Sequence, residues 1–366
     1  MTDTDVLIVG AGPAGLAAAQ ALTRAGTGAV ILEQGAGPGA SWRDLYDSLR
    51  LHTGKHLSAL RGLSFKRSTP LFPSKQDFID YLETYAETHQ IPVRFGCQVQ
   101  EAIHEKGLWA LRTSQGTMTA RRLVLAAGII SRPFTPSWEG CEKYKGTLIH
   151  SILYRNPSRW KDQRVLVVGT GNSGAEIAAE LARAGIRTGV AVRSGAHVMP
   201  LRLLGLPIQY WSHAIERMPR PARELLARIT ARAGRLVRGR PVIPLPPWSP
   251  LDRPPIIGYG LPDAIRDGRV GLHPGILRLD DWSVTFTDGT EERFDAVIAA
   301  TGFLAAIEFL RGRFATDRRG FPIANGVRCV DLPSCYVIGH RYAAVGALAN
   351  IRRDAGLLAQ VVRSGL

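Results

Sequence analysis

Two glycine-rich turns, each preceded by a short apolar run, constrain the fold of this 366-residue sequence more than any other feature. The first reads GAGPAG and follows the run DVLIV. In such a turn Gly10 permits the tight bend, Gly12 lets a pyrophosphate approach the backbone, and Gly15 lets the next helix pack on the strand. An alanine-rich helix and a second strand ending at Glu33 complete a strand–helix–strand unit. This order predicts a dinucleotide-binding domain in which Glu33 accepts hydrogen bonds from ribose hydroxyls.

The second turn, GTGNSG, follows the run RVLVV and opens another alanine-rich helix. The residues of this turn expected to contact a second dinucleotide are Gly169, Gly171, Asn172, Ser173 and Gly174. Arg193 stands 24 residues after Gly169, where a carboxylate would select NAD. An arginine at this position, followed by Ser194, suits a 2′-phosphate and therefore predicts NADPH.

The order of the two turns predicts an α/β fold with two Rossmann-like dinucleotide-binding domains, one inserted into the other. We expect residues 1–155 and 300–366 to form an FAD-binding domain and residues 156–299 an inserted NADPH-binding domain. Within the insert, residues at about 200–255 are rich in proline and arginine, with a helical stretch around 213–237. This excursion is expected to form a lid or wall of the substrate site. An amphipathic helix with Ser74 as its N-cap is predicted over residues 74–90.

The formal net charge of +15 has two explanations. A solvated, arginine-rich surface accounts for most of it, and dinucleotide cofactors and an acidic substrate account for a part. Seven arginines follow one another through the excursion: Arg217, Arg220, Arg223, Arg228, Arg232, Arg235 and Arg238. They favour a solvated amphipathic face, and peripheral contact with a membrane or partner is the alternative. Nucleic-acid binding is not expected, because no aromatic residues are interleaved with these cations.

The four cysteines form no CxxC pair, and no His/Cys spacing suggests a metal site. A disulfide framework, a redox-active dithiol and a bound metal are therefore not expected. The N-terminal residues lack the pattern of a signal peptide, and no apolar run is long enough to span a membrane. These features predict a cytoplasmic protein. Its oligomeric state is left open by the sequence.

The segment YKGTLIHSILY, from Tyr144 to Tyr154, carries a resemblance to a known family. It matches the pattern FxGxxxHxxxY of the class B flavin-dependent monooxygenases, with Tyr144 in place of the phenylalanine. The segment AATGF resembles the ATG-Tyr/Phe element of the same family. Residues 46–60 and 72–86 are more similar to the plant YUCCA enzymes, which are indole-3-pyruvate monooxygenases, than to the animal flavin-containing monooxygenases. Tyr154 stands where Baeyer–Villiger enzymes usually carry tryptophan.

The resemblance implies an enzyme that uses FAD and NADPH to form a C4a-peroxyflavin from molecular oxygen. It places His52 and Lys55 beside the flavin ring and Asn172 near the nicotinamide, and these three are the candidate catalytic residues. Further cofactor contacts are expected at Pro13, Ala14, Gln34, Trp42, Arg43, Ser74, Gln76, Val99, Ala127, Gly128, Thr301 and Gly339. His150 is expected to hold the segment between the domains rather than to transfer protons.

The resemblance also implies a small-molecule substrate, with oxidative decarboxylation of a 2-oxo acid such as indole-3-pyruvate as the reaction. An arginine that binds the substrate carboxylate is expected, but the sequence offers too many arginines to select one. Oxygenation of nitrogen or sulfur and Baeyer–Villiger oxidation are alternative reactions. A flavin reductase that passes electrons to a protein partner is an alternative of another class, and a non-enzymatic redox sensor is a third.

Overall fold

The computed structural model describes residues 3–364, without the side chains of residues 232, 233 and 235–238. These residues form two compact units. The first unit comprises the chain up to Asp44, Leu49–Arg132 and the residues from Phe303 onward. The second unit comprises Leu45–Ser48 and Pro133–Gly302.

The elements follow one another in three groups along the chain. The first group is β1 (Thr4–Val9), α1 (Pro13–Arg24), β2 (Ala29–Leu32), α2 (Ala40–Arg43), α3 (Lys55–Ser58), α4 (Lys75–Thr88), β3 (Val93–Arg94), β4 (Val99–Glu105), β5 (Leu108–Thr113), β6 (Gly116–Leu125) and β7 (Arg132–Pro133). The second group is β8 (Thr147–His150), β9 (Arg164–Val168), α5 (Asn172–Arg183), β10 (Arg187–Ala191), β11 (Val198–Met199), β12 (Arg202–Leu203), β13 (Leu206–Pro207), α6 (Ile208–Ala214), α7 (Arg220–Arg238), β14 (Ile256–Ile257), α8 (Gly260–Arg266), β15 (Val270–His273), β16 (Ile276–Asp280), β17 (Ser283–Phe286), β18 (Glu291–Arg293) and β19 (Ala296–Ala299). The third group is β20 (Phe303–Leu304), β21 (Ala324–Asn325), β22 (Arg328–Cys329), β23 (Cys335–Val337) and α9 (Ala347–Ser364).

The first unit is built on a sheet in the order β21-β22-β23-β6-β1-β2-β3, with β5 paired antiparallel to β6 and β4 paired antiparallel to β5. Strands β23, β6, β1, β2 and β3 run parallel. Both faces of β1 are buried, since Val6 and Ile8 pack with helices α1, α4 and α9 while Leu7 packs with Trp109. The small alanines of α1 allow α9 to approach it closely. This burial explains why β1 appears in the sequence as an uninterrupted apolar run.

The second unit is built on a sheet of five parallel strands in the order β15-β10-β9-β19-β8. A three-stranded antiparallel sheet, β16-β17-β18, packs Phe286 and Phe294 against Leu166 and Val297. Helix α5 follows β9 and leads into β10, as the second strand–helix–strand pattern predicts. The predicted α/β fold with a parallel sheet in each unit is thus confirmed.

The excursion leaves the second sheet after β10 and returns to it at α8 and β15. Within it, β11 pairs parallel with β14, and β12 pairs antiparallel with β13. The helical stretch expected around 213–237 is two helices, α6 and α7, which are separated at Pro219. A residue that precedes proline is disfavoured in a helix, which explains the interruption. No helix within residues 3–364 is long and apolar enough to cross a membrane.

The compact units divide at residues 132/133 and 302/303, whereas the sequence suggested 155/156 and 299/300. The reason lies in the pairing of β8 with β19 of the second sheet. The residues before 156 therefore include a strand of the second unit. The helix expected over residues 74–90 is confirmed as α4, with Ser74 as its N-cap.

Candidate dinucleotide sites

The first glycine turn combines two packed positions with one open position. Gly10 has φ of +103°. A Cβ there would lie 2.6 Å from the carbonyl oxygen of Ala126, and a Cβ on Gly15 would lie 1.9 Å from that of Gly10. A Cβ on Gly12 would meet no described atom within 4 Å. Gly10 and Gly15 are thus required for the chain's own packing, whereas Gly12 faces space that a ligand can enter.

The start of α1 faces the same space. Gly12 is the N-cap and Pro13 the first helical residue, and within this described helix no side chain caps the N-terminus and no acidic residue lies in the first turn. Helix N-termini of this kind bind phosphates through free N–H groups and the helix dipole. Gly339, at the end of β23, lies close to this turn, since a Cβ on Gly339 would be 2.6 Å from the Cβ of Ala14.

Glu33 is fixed at the end of β2 by two backbone N–H groups. Its Oε2 accepts a hydrogen bond of 2.6 Å from Ala11 N, and its Oε1 accepts one of 2.7 Å from Gly35 N. The side chain is buried, whereas Gln34 beside it is exposed. A carboxylate oxygen can accept more than one hydrogen bond, so Glu33 can also accept from ribose hydroxyls. The first unit therefore has the features that an FAD pyrophosphate and ribose require.

The second glycine turn repeats this geometry. Gly169 has φ of +104°, and a Cβ there would lie 2.7 Å from the carbonyl oxygen of Ala300. A Cβ on Gly174 would lie 2.1 Å from the carbonyl oxygen of Gly169. Gly171, like Gly12, has no described atom within 4 Å of its Cβ position. The second unit thus presents the same open approach to the start of a helix.

Arg193 follows the end of β10 and is exposed together with Ser194. The stem of Arg193 lies against Gly275, since a Cβ on that glycine would be 3.4 Å from Cγ of the arginine. No hydrogen bond or ion pair joins its guanidinium group to another described residue. An unpaired guanidinium at this position can bind a phosphate through two hydrogen bonds. The residues present therefore fit the 2′-phosphate of NADPH.

The segment Tyr144–Tyr154 braces the second unit. Tyr144 OH donates a hydrogen bond of 2.7 Å to the carbonyl oxygen of Phe294. A Cβ on Gly146 would lie 2.5 Å from the ring of Tyr144 and 2.8 Å from the carbonyl oxygen of Asp295. Tyr154 is fully buried and its OH donates to Glu180 Oε2 of α5 at 2.8 Å. Tyr144, Gly146 and Tyr154 therefore pack against the strands and helix α5 of their own unit.

His150 joins this segment to the AATGF element, through Gly302. Its Nδ1 accepts a hydrogen bond from Ile152 N at 3.2 Å, and Nε2 lies 3.0 Å from the carbonyl oxygen of Gly302. Only the neutral tautomer with the proton on Nε2 satisfies both contacts. Burial lowers the pKa of His150, although the hydrogen bond to Gly302 opposes this shift. The observed contacts agree with the structural role expected from the sequence.

The face of α5 near its N-terminus is lined by phenol–carboxylate pairs. Tyr46 OH donates to Glu176 Oε2 at 2.7 Å, one helical turn before Glu180. Burial, the charge of Glu176 and their hydrogen bond raise the pKa of Tyr46 well above its usual value. Asn172 at the start of α5 uses its side-chain oxygen to accept a hydrogen bond of 2.8 Å from Ile257 N of β14. Its amide thus anchors the excursion, and its predicted role near the nicotinamide stays a prediction.

Lys55 is the first residue of α3, which packs near the C-terminal helix, and His52 lies in the loop just before it. Lys55 Nζ donates to the carbonyl oxygens of Arg67 and Thr69 at 2.9 and 2.6 Å, so its charge holds a surface loop. His52 is half-buried. Its neighbour Thr53 touches the chain before α9, since a Cβ on Gly346 would lie 2.8 Å from Thr53 Oγ1. This contact brings the residues expected beside the flavin next to the loop that follows Gly339.

Several other expected cofactor contacts have partners within their own unit. Ser74 and Asp77 form a capping box at the start of α4, and Gln76 Nε2 donates to Asp80 at 2.6 Å. Arg43 pairs with Glu83 of α4. The remaining positions are Trp42, edge-on to Phe78; Val99, half-buried in β4; Ala127 and Gly128, directly after β6; and Thr301, which donates to Phe134 O. Their roles as cofactor contacts stay predictions.

Two residues after Gly339 were not found by sequence reasoning. His340 Nδ1 and Arg341 Nε are buried and have no hydrogen-bond partner within the part of the chain that the structure describes. Arg341 Nη2 lies 2.5 Å from Oδ1 of Asp354, a carboxylate only 1 % exposed. Unpaired buried nitrogens beside the first glycine turn are free to bond a ligand. The signal in the sequence was Asp354 itself, an acidic residue on the buried face of α9 beside Ile351 and Leu358.

Other kinds of centre are not supported. Within residues 3–364, no group of three or more His, Cys, Asp or Glu side chains could hold a metal ion. Cys97, Cys141, Cys329 and Cys335, all in the described range, are free thiols, and burial together with the hydrogen bond to Cys329 raises the pKa of Cys335.

Comparison with known proteins connects this geometry to one class of enzyme. Residues 7–199 match the family model described as pyridine nucleotide-disulphide oxidoreductase. The indole-3-pyruvate monooxygenase YUCCA1 of Oryza sativa subsp. japonica is 35 % identical over 310 residues, covering 81 % of this chain and 76 % of the relative. The probable indole-3-pyruvate monooxygenase YUCCA1 of Arabidopsis thaliana is 32 % identical, covering 88 % of this chain and 82 % of the relative. The solved structure of a flavin-containing monooxygenase from Stenotrophomonas maltophilia matches all of both chains, with a TM-score of 0.80 and 25 % identity.

Proposed function

Since the chain belongs to the flavin-dependent monooxygenases, we propose that it binds FAD at the first glycine turn, NADPH at the second, and oxygenates a small 2-oxo acid. FAD and NADPH are the cofactors of this class of enzyme, and molecular oxygen is the co-substrate. When bound, they supply the electrons and the ring on which oxygen is activated. The protein's own residues bind, orient and shield them.

The proposed assignment of FAD to the first turn and NADPH to the second rests on one difference between two otherwise similar turns. Gly12 and Gly171 face open space at equivalent positions. The strand that follows the first turn and its helix, β2, is followed by the carboxylate of Glu33, whereas the corresponding strand after the second turn, β10, is followed by the cation of Arg193. A carboxylate repels a 2′-phosphate, whereas an unpaired guanidinium binds it. This contrast supports FAD, which has no 2′-phosphate, in the first unit and NADPH in the second.

The substrate class is supported by the names of the relatives. The relatives of Oryza sativa and Arabidopsis thaliana are named indole-3-pyruvate monooxygenase and probable indole-3-pyruvate monooxygenase. The net charge of +15 favours the approach of an anionic substrate. In the proposed reaction the bond between the carboxylate and the ketone carbon breaks and carbon dioxide leaves. One oxygen atom enters the shortened acid, the other becomes water, and NADPH is oxidised to NADP+.

Rapid mixing of the purified holoprotein tests this function. NADPH is added without oxygen and aerated buffer follows, with and without indole-3-pyruvate. We expect fast bleaching of the flavin, then a lasting near-ultraviolet band that decays faster with the 2-oxo acid, and equal amounts of carbon dioxide and indole-3-acetate. Direct return of the oxidised flavin spectrum with release of hydrogen peroxide would instead favour a reductase or oxidase. A lasting band that only amines or sulfides discharge would keep the monooxygenase and overturn the proposed substrate.

A further inference from the structure

Helix α7 of the excursion presents large apolar side chains to solvent. Leu225 is 58 % exposed, Ile229 51 % and Leu226 37 %. Leu225 and Ile229 are four residues apart and therefore lie on one face of the helix. A helix of a soluble domain normally packs its apolar stripe on the core and leaves its polar face to water. The exposed face of α7 therefore departs from this arrangement.

The opposite face of α7 already has a packing role. Ala227, Thr230, Ala231 and Gly234 border a cleft, open to solvent, whose other walls include residues 196–200 and 239–243. These small residues turn toward the rest of the second unit. Because α7 packs through these small residues, Leu225, Leu226 and Ile229 on its other side face solvent.

The arginines around this apolar face are mostly unpaired. Arg220 is bonded to Glu224 at 2.9 Å and to Asp252 at 2.8 Å. Arg217 and Arg228 are exposed, and among the described residues neither has a hydrogen bond or an ion pair. The side-chain positions of Arg232, Arg235 and Arg238 lie outside the described residues, although these residues also carry positive charge in the sequence. The face thus combines exposed apolar groups with the positive charges of Arg217 and Arg228, which no described carboxylate pairs.

Three kinds of partner can be weighed against this combination. A second copy of the chain would bring like charges together, which opposes association. A nucleic acid would neutralise the arginines but leave the leucines in water. An anionic phospholipid surface accepts both, because guanidinium groups reach the headgroup phosphates while leucine and isoleucine enter the boundary with the acyl chains. We propose that the exposed face of α7, marked by Leu225, Arg228 and Ile229, binds peripherally to an anionic membrane surface.

Sedimentation of the holoprotein with vesicles tests the proposal, which does not depend on the proposed substrate. Vesicles of pure phosphatidylcholine are compared with vesicles that contain phosphatidylglycerol, at low and high salt. We expect binding to the anionic vesicles that weakens as salt is raised. The Leu225→Ser/Ile229→Ser variant should bind about tenfold more weakly, because two apolar side chains no longer leave water. Arg228→Gln should weaken vesicle binding about fivefold at low salt.

The matched control is Leu277→Ser in β16, since Leu277 is 54 % exposed in the same unit. This variant should bind like the parent, and the flavin spectrum and thermal midpoint should show that every variant is folded. Equal sedimentation of the parent and the Leu225→Ser/Ile229→Ser variant would overturn the proposal. Absence of vesicle binding together with a dimer that this variant dissociates, measured by light scattering, would assign the face to self-association instead.

Discussion

Glu33 and Arg193 occupy matching places, each after the second strand of a strand–helix–strand unit, yet they have opposite charges and different surroundings. Glu33 is buried and held by the N–H groups of Ala11 and Gly35, whereas Arg193 is exposed. The energetic consequences therefore differ. Removing Glu33 would leave two backbone donors without a partner, of which Ala11 N is buried, and this costs stability as well as cofactor binding. Removing Arg193 should affect the ligand alone.

Substitution of Arg193 by alanine should therefore change cofactor preference without changing stability. Hydrogen bonds to a charged phosphate contribute about 1.5–3 kcal/mol, so the KM for NADPH should rise at least about tenfold while the KM for NADH changes little. Steady-state flavin reduction with both cofactors measures this. Arg187→Ala, at the other end of β10, is the control and should leave both values unchanged. An equal rise for NADPH and NADH would remove Arg193 from the 2′-phosphate site.

At the scale of elements, the glycine turns and the segments around them show what the sequence could reveal. The two strand–turn–helix units and α4 were predicted correctly, because each depends on local pattern and turn chemistry. The partners of Lys55, Arg43 and Gln76 could not be predicted, because they are set by loops and helix faces that only the folded chain brings together. The pairing of Arg341 with Asp354 was missed for the same reason, although Asp354 stands out as an acidic residue on the apolar face of α9.

The matching turns allow a crossed test of which cofactor each unit binds. Gly12→Ala and Gly171→Ala place a methyl group where no described atom lies within 4 Å, and both residues have negative φ, so the folded protein should tolerate them. Gly12→Ala should weaken FAD binding at least about tenfold, because the methyl group occupies the approach of the pyrophosphate. Gly171→Ala should raise the KM for NADPH and leave FAD binding unchanged.

Fluorescence titration with FAD and steady-state kinetics measure the two effects, and thermal unfolding reports on folding. Gly15→Ala is the comparison, since its Cβ would meet the Gly10 carbonyl oxygen at 1.9 Å and should lower the thermal midpoint. Loss of FAD from Gly171→Ala, or loss of NADPH binding alone from Gly12→Ala, would reverse the assignment of cofactors to units.

At the scale of the whole molecule, both units contain histidines whose partial or full burial disfavours the charged form. Burial lowers the pKa of His150 and His273 in the second unit, and burial with the charge of Arg341 lowers the pKa of His340 to about 4 in the first. The unfolded chain takes up protons on these residues near pH 6.5, whereas the folded chain does so only at lower pH. Their contribution to stability is therefore complete above about pH 6.5 and is lost as the pH falls toward the folded pKa.

The free energy of unfolding should accordingly fall as the pH is lowered from about 7.5 to 4.5, with His340 accounting for about 2 kcal/mol of the change. Urea unfolding of the holoprotein at both pH values measures this. His340→Gln keeps a polar side chain that does not titrate, so the variant should show a smaller fall. His104→Gln is the control, because His104 lies in the half-exposed strand β4. An equal fall in the free energy of unfolding for the parent and for His340→Gln would contradict the assignment of this pH dependence to His340.

The division of the chain between the units also fixes the order in which a growing polypeptide can complete them. Every residue of the second unit, including the early segment Leu45–Ser48, precedes Phe303. The first unit still lacks β23 and α9, which pack on β6 and α1. During synthesis on the ribosome, the half proposed to bind NADPH can therefore fold first, while the half proposed to bind FAD is completed only by the last helix. A yellow colour, from bound flavin, would then indicate that translation has reached α9. Products truncated before α9 are expected to be colourless.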